Sequence, residues 1–263
     1  MRVGFVGAGR MGAPMVARLA AAGHEVRALG RTEEKRAAIA ELGATAVADL
    51  ASVAAGADVV VLCVFTDDQA RAVAPELIAA MPVGAVLLLH TTGSPATATA
   101  LAEQAAGRDI AVLDAPVSGG PHDIAAGTVT VFVGGDADAL DRSRPALASY
   151  ADPILHAGRV GAGQKMKLVN NTLFAAQIGL VAEAVRLGDR LGLTEPALLA
   201  ALPQGSGASK AMGNIARAGS TEAFIAAVGE FIGKDVAVVR GTAAELGADL
   251  GRLDPLVDAG LGR

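Results

Sequence analysis

The segment VGFVGAGRMGAPM, Val3–Met15, constrains the fold of this chain more than any other stretch. It places Gly7, Gly9 and Gly12 in the spacing G-x-G-x-x-G, after an apolar strand-like run and at the start of a helix-like one. The first glycine permits a tight turn, the second lets the backbone approach a pyrophosphate, and the third lets the helix pack against the strand. The N–H groups at the helix N-terminus attract phosphates. The segment therefore predicts a dinucleotide-binding turn, with an unliganded glycine turn as the alternative.

Short apolar runs alternate with helix-like stretches through the first half of the chain. Runs that are apolar at consecutive positions are typical of strands buried on both faces of a sheet. The predicted strands are Arg2–Val6, Glu25–Leu29, Val59–Val64, Ala85–His90, Ala111–Asp114 and Val129–Val133. The predicted helices are Met11–Ala22, Glu33–Leu42, Leu50–Ala54, Asp67–Ile78 and Ala96–Ala106. This alternation predicts a parallel sheet covered by helices on both sides.

The pattern changes after about Gly158, and beyond Ala157 the sequence indicates no further strand. The segment Gly163–Arg190 is predicted to form one long helix, because its apolar residues recur at helical steps. Further helices are predicted at Glu195–Ala201, Thr221–Ala227, Gly233–Leu246 and Asp254–Leu261, with a Gly- and Ser-rich loop near Pro203–Ser209. We therefore predict a doubly wound α/β domain over residues 1–160, followed by an all-helical domain over residues 161–263.

The net charge and the single cysteine limit the classes of function. A net charge of −5 and the lack of a long basic run argue against a nucleic-acid partner. No apolar run approaches the roughly 20 residues of a membrane span, and glycine and charge interrupt the N-terminus too early for a signal peptide. Cys63 has no partner within the chain and is expected to be a buried, inert thiol. We expect a cytoplasmic protein without a metal site.

The residues after the second predicted strand bear on the choice of dinucleotide. An acidic residue is expected there if the cofactor is NAD, because it binds the ribose diol, but this chain reads ALGRTEEKR. Arg31 occupies that position and is followed by Thr32, and a guanidinium suits a 2′-phosphate through paired, charged hydrogen bonds. We predict NADP in preference to NAD. The alternative is that Arg31 stacks on the adenine and tolerates both.

Four segments stand in an order that resembles one known family. They are GFVGAGRMGAPMVARLAAAGHEV from Gly4, LDAPVSGGPHDIAAGTVTVFVGG over Leu113–Gly135, GAGQKMKLVNNTL over Gly161–Leu173 and GKDVAVV over Gly233–Val239. The chain resembles the β-hydroxyacid dehydrogenases, the 3-hydroxyisobutyrate dehydrogenase family. The resemblance implies a Rossmann domain, a long inter-domain helix and a helical domain that builds the oligomer. It also implies reactions between small β-hydroxyacids and their semialdehydes, with a nicotinamide cofactor.

The third segment carries the residues expected to do the chemistry. Hydride transfer leaves a proton to be donated to, or taken from, the substrate oxygen, and a lysine can serve if its surroundings lower its pKa. The family's catalytic lysine matches Lys167, in the form G-x-x-x-K-x-x-x-N from Gly163. Asn171 lies one helical turn on, so its amide can hold the substrate oxygen or orient the ammonium. Lys165 points off that face and is expected to be solvated or to face a phosphate.

The second segment is expected to bind the acid group of the substrate. Ser118, Gly119 and Gly120 offer a hydroxyl and successive backbone N–H groups, which together form a nest for a carboxylate; a glycine turn without a ligand is the alternative. His122 and Asp123 depart from the family pattern. Either the pair contacts the far end of the substrate, or His122 caps a helix that starts at Asp123, and no catalytic role is assigned to them.

Further cofactor contacts follow from the resemblance. Val64 and Phe65, in CVFTDDQ, match the loop under the nicotinamide ribose, and Thr92, in TTGSP, matches the family's serine–threonine pair. Lys234 resembles the lysine that reaches back from the helical domain to the cofactor, with a surface ion pair to Asp235 as the alternative. The turn residues that complete the set of cofactor contacts are Ala8, Arg10 and Met11.

The prediction that results is an NADP-preferring oxidoreductase of a small hydroxyacid or semialdehyde. An imine reductase-like enzyme is a second possibility, although that related family usually has Asp or Tyr in place of Lys167. A non-catalytic dinucleotide-binding module is the third. A homodimer or homotetramer is expected, because the long helix is apolar beyond what a small helical domain can cover. The residues taken to need a partner are Phe174, Ile178, Val181 and Val185.

Overall fold

The computed structural model describes residues 1–263 and divides into two compact units, Met1–Lys167 and Leu168–Arg263. The strands are β1 Arg2–Val6, β2 Glu25–Leu29, β3 Thr45–Val47, β4 Val59–Leu62, β5 Val86–Leu89, β6 Ala111–Asp114, β7 Val117–Ser118, β8 Val129–Gly134 and β9 Ala151–Gly158. The helices of the first unit are α1 Gly12–Ala21, α2 Glu33–Glu41, α3 Leu50–Ala54, α4 Asp67–Ala80, α5 Pro95–Ala106, α6 Pro121–Ala126 and α7 Ala137–Leu147.

The long helix α8, Ala162–Arg190, begins at the end of the first unit, and its residues from Leu168 onward belong to the second. The remaining helices are α9 Glu195–Ala201, α10 Lys210–Ala218, α11 Thr221–Glu245 and α12 Asp254–Gly260, with short 3-10 turns at Leu202–Gln204 and Gly251–Leu253. The second unit is therefore all-helical, as the sequence predicts.

The strands form one sheet in the order β3-β2-β1-β4-β5-β6-β8-β7, with β9 beside β8. The pairs from β3 to β6 are parallel. Because β2 and β4 flank β1 on opposite sides, the strand order reverses at β1. The crevice at the carboxyl ends of such strands is where doubly wound sheets bind ligands. The glycine turn that follows β1 therefore lies at the expected binding position.

The core confirms that the central strands are buried on both faces. Val59 and Val61 of β4 pack in one hydrophobic cluster, and Val60 and Leu62 pack in a second cluster. All four side chains are fully buried. The predicted α/β domain followed by a helical domain is therefore correct.

The prediction of an all-parallel sheet is wrong at one edge. β8 runs antiparallel to both β6 and β7. The segment 119–128, which joins β7 to β8, is shorter than the dozen or more residues that a parallel crossover requires. The chain returns through the six-residue helix α6 and pairs in the opposite direction.

Several elements escaped the sequence pattern. The strands β3, β7 and β9 and the helices α6, α7 and α10 were not predicted, and the two helices expected over 221–246 form the single helix α11. Half of the residues of β9 are exposed, and its sequence accordingly has no continuous apolar run. α10 lies beside a Gly- and Ser-rich stretch but has its own caps: Ser209 accepts a hydrogen bond from Met212 N, and Gly219 ends the helix with a positive φ.

The exposed apolar face of α8 differs from the predicted one. Ile178 and Val181 are buried in the core of the second unit, and Phe174 packs against that core. Val185 is half-buried, and the exposed apolar side chains of the helix are instead Met166, Val169, Leu173, Leu180 and Leu187. By length and composition alone, α8 could cross a membrane, because an 18-residue stretch of it has a mean hydropathy of 1.3. However, 44% of that stretch is buried within the protein.

Candidate active site

The turn after β1 has the geometry of a phosphate cradle. Gly7 has a φ of +101°, and a Cβ there would lie 2.1 Å from Cys63 O, so no other residue fits. A Cβ on Gly12 would lie 2.1 Å from Gly7 O, so α1 starts directly against the turn. A Cβ on Gly9 would meet nothing within 4 Å. The space beside Gly9 fits the requirement that a pyrophosphate approach the backbone closely.

Arg31 is exposed directly beyond β2. Thr32 caps α2, with its hydroxyl accepting from Lys35 N at 3.2 Å. The guanidinium of Arg36 is hydrogen-bonded within the protein, donating to Gly30 O at 3.2 Å and to Glu33 Oε2 at 2.7 Å. Arg31 is thus a cation at the position where an NAD-binding chain carries an acid.

Two neighbouring loops at the carboxyl ends of β4 and β5 are tied together. Thr91 Oγ1 accepts from Val64 N at 3.1 Å and donates to Val64 O at 3.0 Å. Phe65 is exposed and Thr92 is half-buried. Burial raises the pKa of the Cys63 thiol to about 12, as expected for an inert cysteine.

A buried histidine anchors the start of the second loop. His90 Nδ1 lies 2.5 Å from Ala115 O, and its Nε2 lies 2.8 Å from the hydroxyl of Tyr150. A neutral ring satisfies both contacts by donating from Nδ1 and accepting at Nε2. Burial lowers the pKa of His90 to about 4, although its hydrogen bond to Ala115 favours the charged form. Burial also raises the pKa of Tyr150.

We expect the free energy of unfolding to fall as the pH drops from 6.5 towards 4. The unfolded chain takes up a proton there that folded His90 excludes, so the stability present above pH 6.5 is lost, by about 3 kcal/mol at most. Urea unfolding at pH 7 and pH 4.5 measures this change. His156→Gln alters an exposed histidine and should keep the full dependence, whereas His90→Gln should lose most of it. An unchanged dependence in His90→Gln contradicts the assignment.

The loop over Ser118–Gly120 is partly engaged by the protein itself. Gly120 N donates to Asp123 Oδ2 at 2.6 Å, and His122 Nε2 lies 3.3 Å from the same oxygen. Asp123 is therefore a capping residue of α6, whereas the sequence interpretation gave the cap to His122. Ser118 is half-buried and Gly119 is exposed. The anion nest expected here is reduced by one N–H group.

The carboxylate of Asp114 holds the start of α8. Asp114, the last residue of β6, is fully buried; its Oδ1 accepts from Gly161 N at 2.6 Å and its Oδ2 from Gln164 N at 2.7 Å. Burial raises the pKa of Asp114, while these backbone donors act in the opposite direction. Lys167 follows Gln164 by one turn and is only 8% exposed, whereas Lys165 is exposed.

Asn171 lies in the second unit and is fixed by an acid that the sequence analysis did not assign to the site. Its Nδ2 donates to Asp235 Oδ2 in a short hydrogen bond, and its Oδ1 accepts from Asn170 Nδ2 at 3.0 Å. Lys234 Nζ lies 2.7 Å from Asp235 Oδ1. Asp235 is buried, so the ion pair is not the surface pair considered from the sequence.

Sequence reasoning missed the contacts of three polar side chains, Asp114 and Gln164 in the first unit and Asp235 in the second. All three lie within recognised segments, and Asp235 was considered only as a surface partner of Lys234. Their partners are far away in the sequence, so no local spacing signals the contacts. The one general signal in the sequence is that Asp114 is an acidic residue at the end of an apolar, strand-like run.

A glycine turn at the switch point of a doubly wound sheet is the place where such folds bind a dinucleotide, so the first unit has the architecture of a dinucleotide-binding domain. Residues 2–158 match the family described as the NAD binding domain of 6-phosphogluconate dehydrogenase. Residues 161–254 match the one described as the NAD-binding domain of NADP-dependent 3-hydroxyisobutyrate dehydrogenase. The chain belongs to the 3-hydroxyisobutyrate dehydrogenase family and is an NAD(P)-dependent dehydrogenase acting on CH–OH groups.

Individual relatives and structures agree with this assignment. The chain is 35% identical to an NAD-dependent L-serine dehydrogenase of Pseudomonas aeruginosa, over 80% of this chain and 72% of that protein. A structure of Mycobacterium tuberculosis 3-hydroxyisobutyrate dehydrogenase with L-serine is 30% identical, with a TM-score of 0.88 over 98% of this chain and 91% of that one. An imine reductase of Streptomyces aurantiacus, 24% identical over 99% of this chain and 93% of that one, shares the fold with a TM-score of 0.70.

Proposed function

We propose that the enzyme is an NADP-preferring oxidoreductase that interconverts a small β-hydroxyacid and its semialdehyde, with Lys167 as the acid and base. The observation that carries the proposal is the burial of Lys167, one turn before the buried Asn171 in the same helix. A lysine without a role is rarely buried, since burying its charge is costly. Imine reductases usually have Asp or Tyr at the position of Lys167, so the retention of this lysine favours a carbonyl substrate.

The proposed chemistry divides the work between cofactor and protein. The nicotinamide, when bound, supplies or accepts the hydride at the substrate carbon. In reduction, the ammonium of Lys167 donates a proton to the carbonyl oxygen, which becomes the hydroxyl; in oxidation, the neutral amine takes that proton back. Asn171, held by Asp235, presents a fixed amide to the same region. Its second N–H can donate to the substrate oxygen.

We propose that residues 1–160 bind the dinucleotide and that residues 161–263 contribute to substrate binding and assembly. The open space beside Gly9 and the exposed backbone of Gly9 and Arg10, directly before α1, suit the pyrophosphate. Val64, Phe65 and Thr92 are the proposed contacts of the nicotinamide half, and Lys234 is a further cofactor ligand. The other proposed cofactor contacts are Gly7, Ala8, Arg10, Met11, Gly12, Arg31 and Thr32.

The acid group of the substrate is proposed to bind at Ser118, Gly119 and Gly120. Because Asp123 holds the N–H of Gly120, we propose that the carboxylate contacts Ser118 and Gly119. Gly120 then shapes the turn rather than donating to the ligand. This reduced nest suits a small carboxylate bound through few hydrogen bonds.

The proposed NADP preference depends on Arg31. We expect Arg31→Ala to raise the Kd for NADPH by about 10–100-fold and to leave the Kd for NADH within about twofold, because charged hydrogen bonds contribute ~1.5–3 kcal/mol. Titration by NAD(P)H fluorescence measures both constants. Arg27→Ala is the control, since Arg27 pairs with Glu25. Equal weakening for both cofactors contradicts a 2′-phosphate contact and supports stacking on adenine.

A substrate panel tests the proposed reaction. We expect NADPH oxidation with at least one of glyoxylate, methylmalonate semialdehyde, succinate semialdehyde and tartronate semialdehyde. Oxidation of L-serine and 3-hydroxyisobutyrate belongs in the same panel, because the relatives carry those names. Turnover of a cyclic imine without turnover of any semialdehyde or hydroxyacid contradicts the proposal.

We also propose a cytoplasmic homodimer or homotetramer. The leucines at 173, 180 and 187 recur every seven residues on the exposed face of α8, which is typical of a helix–helix interface. A second copy of the chain covers such a face by symmetry.

A further inference from the structure

The polar backbone groups around Thr92 are held by a single side chain. The Nε2 of Gln164 donates to Thr91 O at 2.8 Å, and its Oε1 accepts from Gly93 N at 3.0 Å. The amide therefore pairs with the carbonyl before Thr92 and with the N–H after it. Gln164 is fully buried, so water does not compete for either bond.

The backbone of Gln164 is fixed as firmly as its side chain. Its N–H donates to the buried carboxylate of Asp114, which also accepts from Gly161 N at the start of the helix. Gly163 lies so close to the sheet that a Cβ there would be 2.4 Å from Asp114 O. The first turn of α8 therefore has no freedom to shift along the sheet.

We propose that Gln164 is a positioning residue that holds the Thr91–Gly93 loop in register with the helix turn that carries Lys167. The inference rests on the proposed roles of Lys167 and Thr92. Hydride and proton transfer both require reacting atoms within a few tenths of an ångström of their productive positions, and a misplacement of ~1 Å costs about 10²-fold in rate. The two hydrogen bonds of the Gln164 amide join the proposed nicotinamide loop to the helix turn that carries the proposed proton donor.

The same network extends to the loop after β4. The hydroxyl of Thr91 both accepts from and donates to the backbone of Val64, so the Val64–Phe65 loop moves with the Thr91–Gly93 loop. Gln164 thereby fixes both proposed nicotinamide loops relative to α8. All of these groups belong to the first unit.

Two substitutions at Gln164 test the inference. Gln164→Met removes both hydrogen bonds, and we expect kcat to fall about 10–100-fold, with the Kd for NADPH changed by less than about fivefold. Gln177→Met, on the same helix, is the matched control and should leave kcat within about twofold. The assay follows NADPH oxidation with the panel aldehyde that the unaltered enzyme reduces fastest.

Gln164→Glu provides a readout that a merely structural role does not produce. An ionised glutamate accepts from Gly93 N but repels Thr91 O, whereas a protonated one donates to Thr91 O and restores both bonds. We expect the kcat of this variant, relative to the unaltered enzyme, to rise at least about fivefold from pH 8 to pH 6. If Gln164→Met does not fold, this pH dependence alone tests the positioning role of Gln164.

The outcomes separate this inference from the proposed function. Lys167→Ala with full activity overturns the proposed chemistry and the inference with it. Inactive Lys167→Ala combined with normal kcat in Gln164→Met overturns the inference alone. A Gln164→Glu variant whose relative kcat is flat between pH 8 and pH 6 also overturns it.

Discussion

Lys167→Ala is expected to lower kcat for aldehyde reduction by about 10²–10⁴-fold, the range that general acid–base catalysis contributes. The loss should appear in kcat rather than in cofactor binding, because the side chain acts on the substrate oxygen. Lys167→Met preserves most of the buried volume and should be equally inactive, which separates lost chemistry from a packing defect. NADPH affinity by fluorescence and single-turnover rates by stopped flow measure the two quantities.

The control for this prediction lies two residues away. Lys165 is on the same helix but exposed, so Lys165→Ala should retain kcat within about twofold. Both variants should sediment as the unaltered enzyme does, since neither lysine belongs to the row of exposed leucines on α8, Leu173, Leu180 and Leu187. Loss of activity in Lys165→Ala together with full activity in Lys167→Ala would move the acid–base role to the other lysine.

Gly9→Ala is expected to raise the Kd for NADPH at least about tenfold without lowering the melting temperature. A Cβ at Gly9 meets no protein atom within 4 Å, and Gly9 has no positive φ, so the folded chain accepts alanine. The methyl group instead occupies the space through which the pyrophosphate approaches the backbone. Thermal unfolding with and without NADPH separates the two effects.

Gly12→Ala is the comparison, because we expect it to lower the melting temperature. A Cβ there would lie 2.1 Å from Gly7 O and 2.8 Å from the ring of Phe5, so the substitution should destabilise the fold itself. Tight NADPH binding by Gly9→Ala would show that the dinucleotide does not pass beside this glycine, and the cofactor assignment would have to be revised.

The elements that the sequence predicted well are those with a strong local pattern. The strand β1 and the helix α1 follow from apolar runs separated by glycines at fixed spacing, and β4 follows from consecutive valines buried on both faces. The edge strand β9 was missed because half of its residues are exposed and it has no continuous apolar run. Local pattern therefore predicts the centre of the sheet better than its edge.

The polar contacts of the candidate site could not be predicted in the same way. Gln164 reaches Thr91, 73 residues earlier in the chain, and Asn171 reaches Asp235, 64 residues later. No periodicity connects residues so far apart, and only the folded chain brings them together. Lys167 and Asn171 were identifiable because they share one helix and a family spacing, whereas Thr91 and Asp235 lie elsewhere in the fold.

The most direct test of Lys167 as the acid and base is a crystal structure of the enzyme with NADP⁺ and the hydroxyacid that it oxidises. We expect Nζ of Lys167 to lie within about 3.2 Å of the substrate hydroxyl, the reach of a hydrogen bond, and the carboxylate to contact Ser118. A structure in which this amine is more than about 5 Å from the bound hydroxyl, with another side chain in its place, would contradict it.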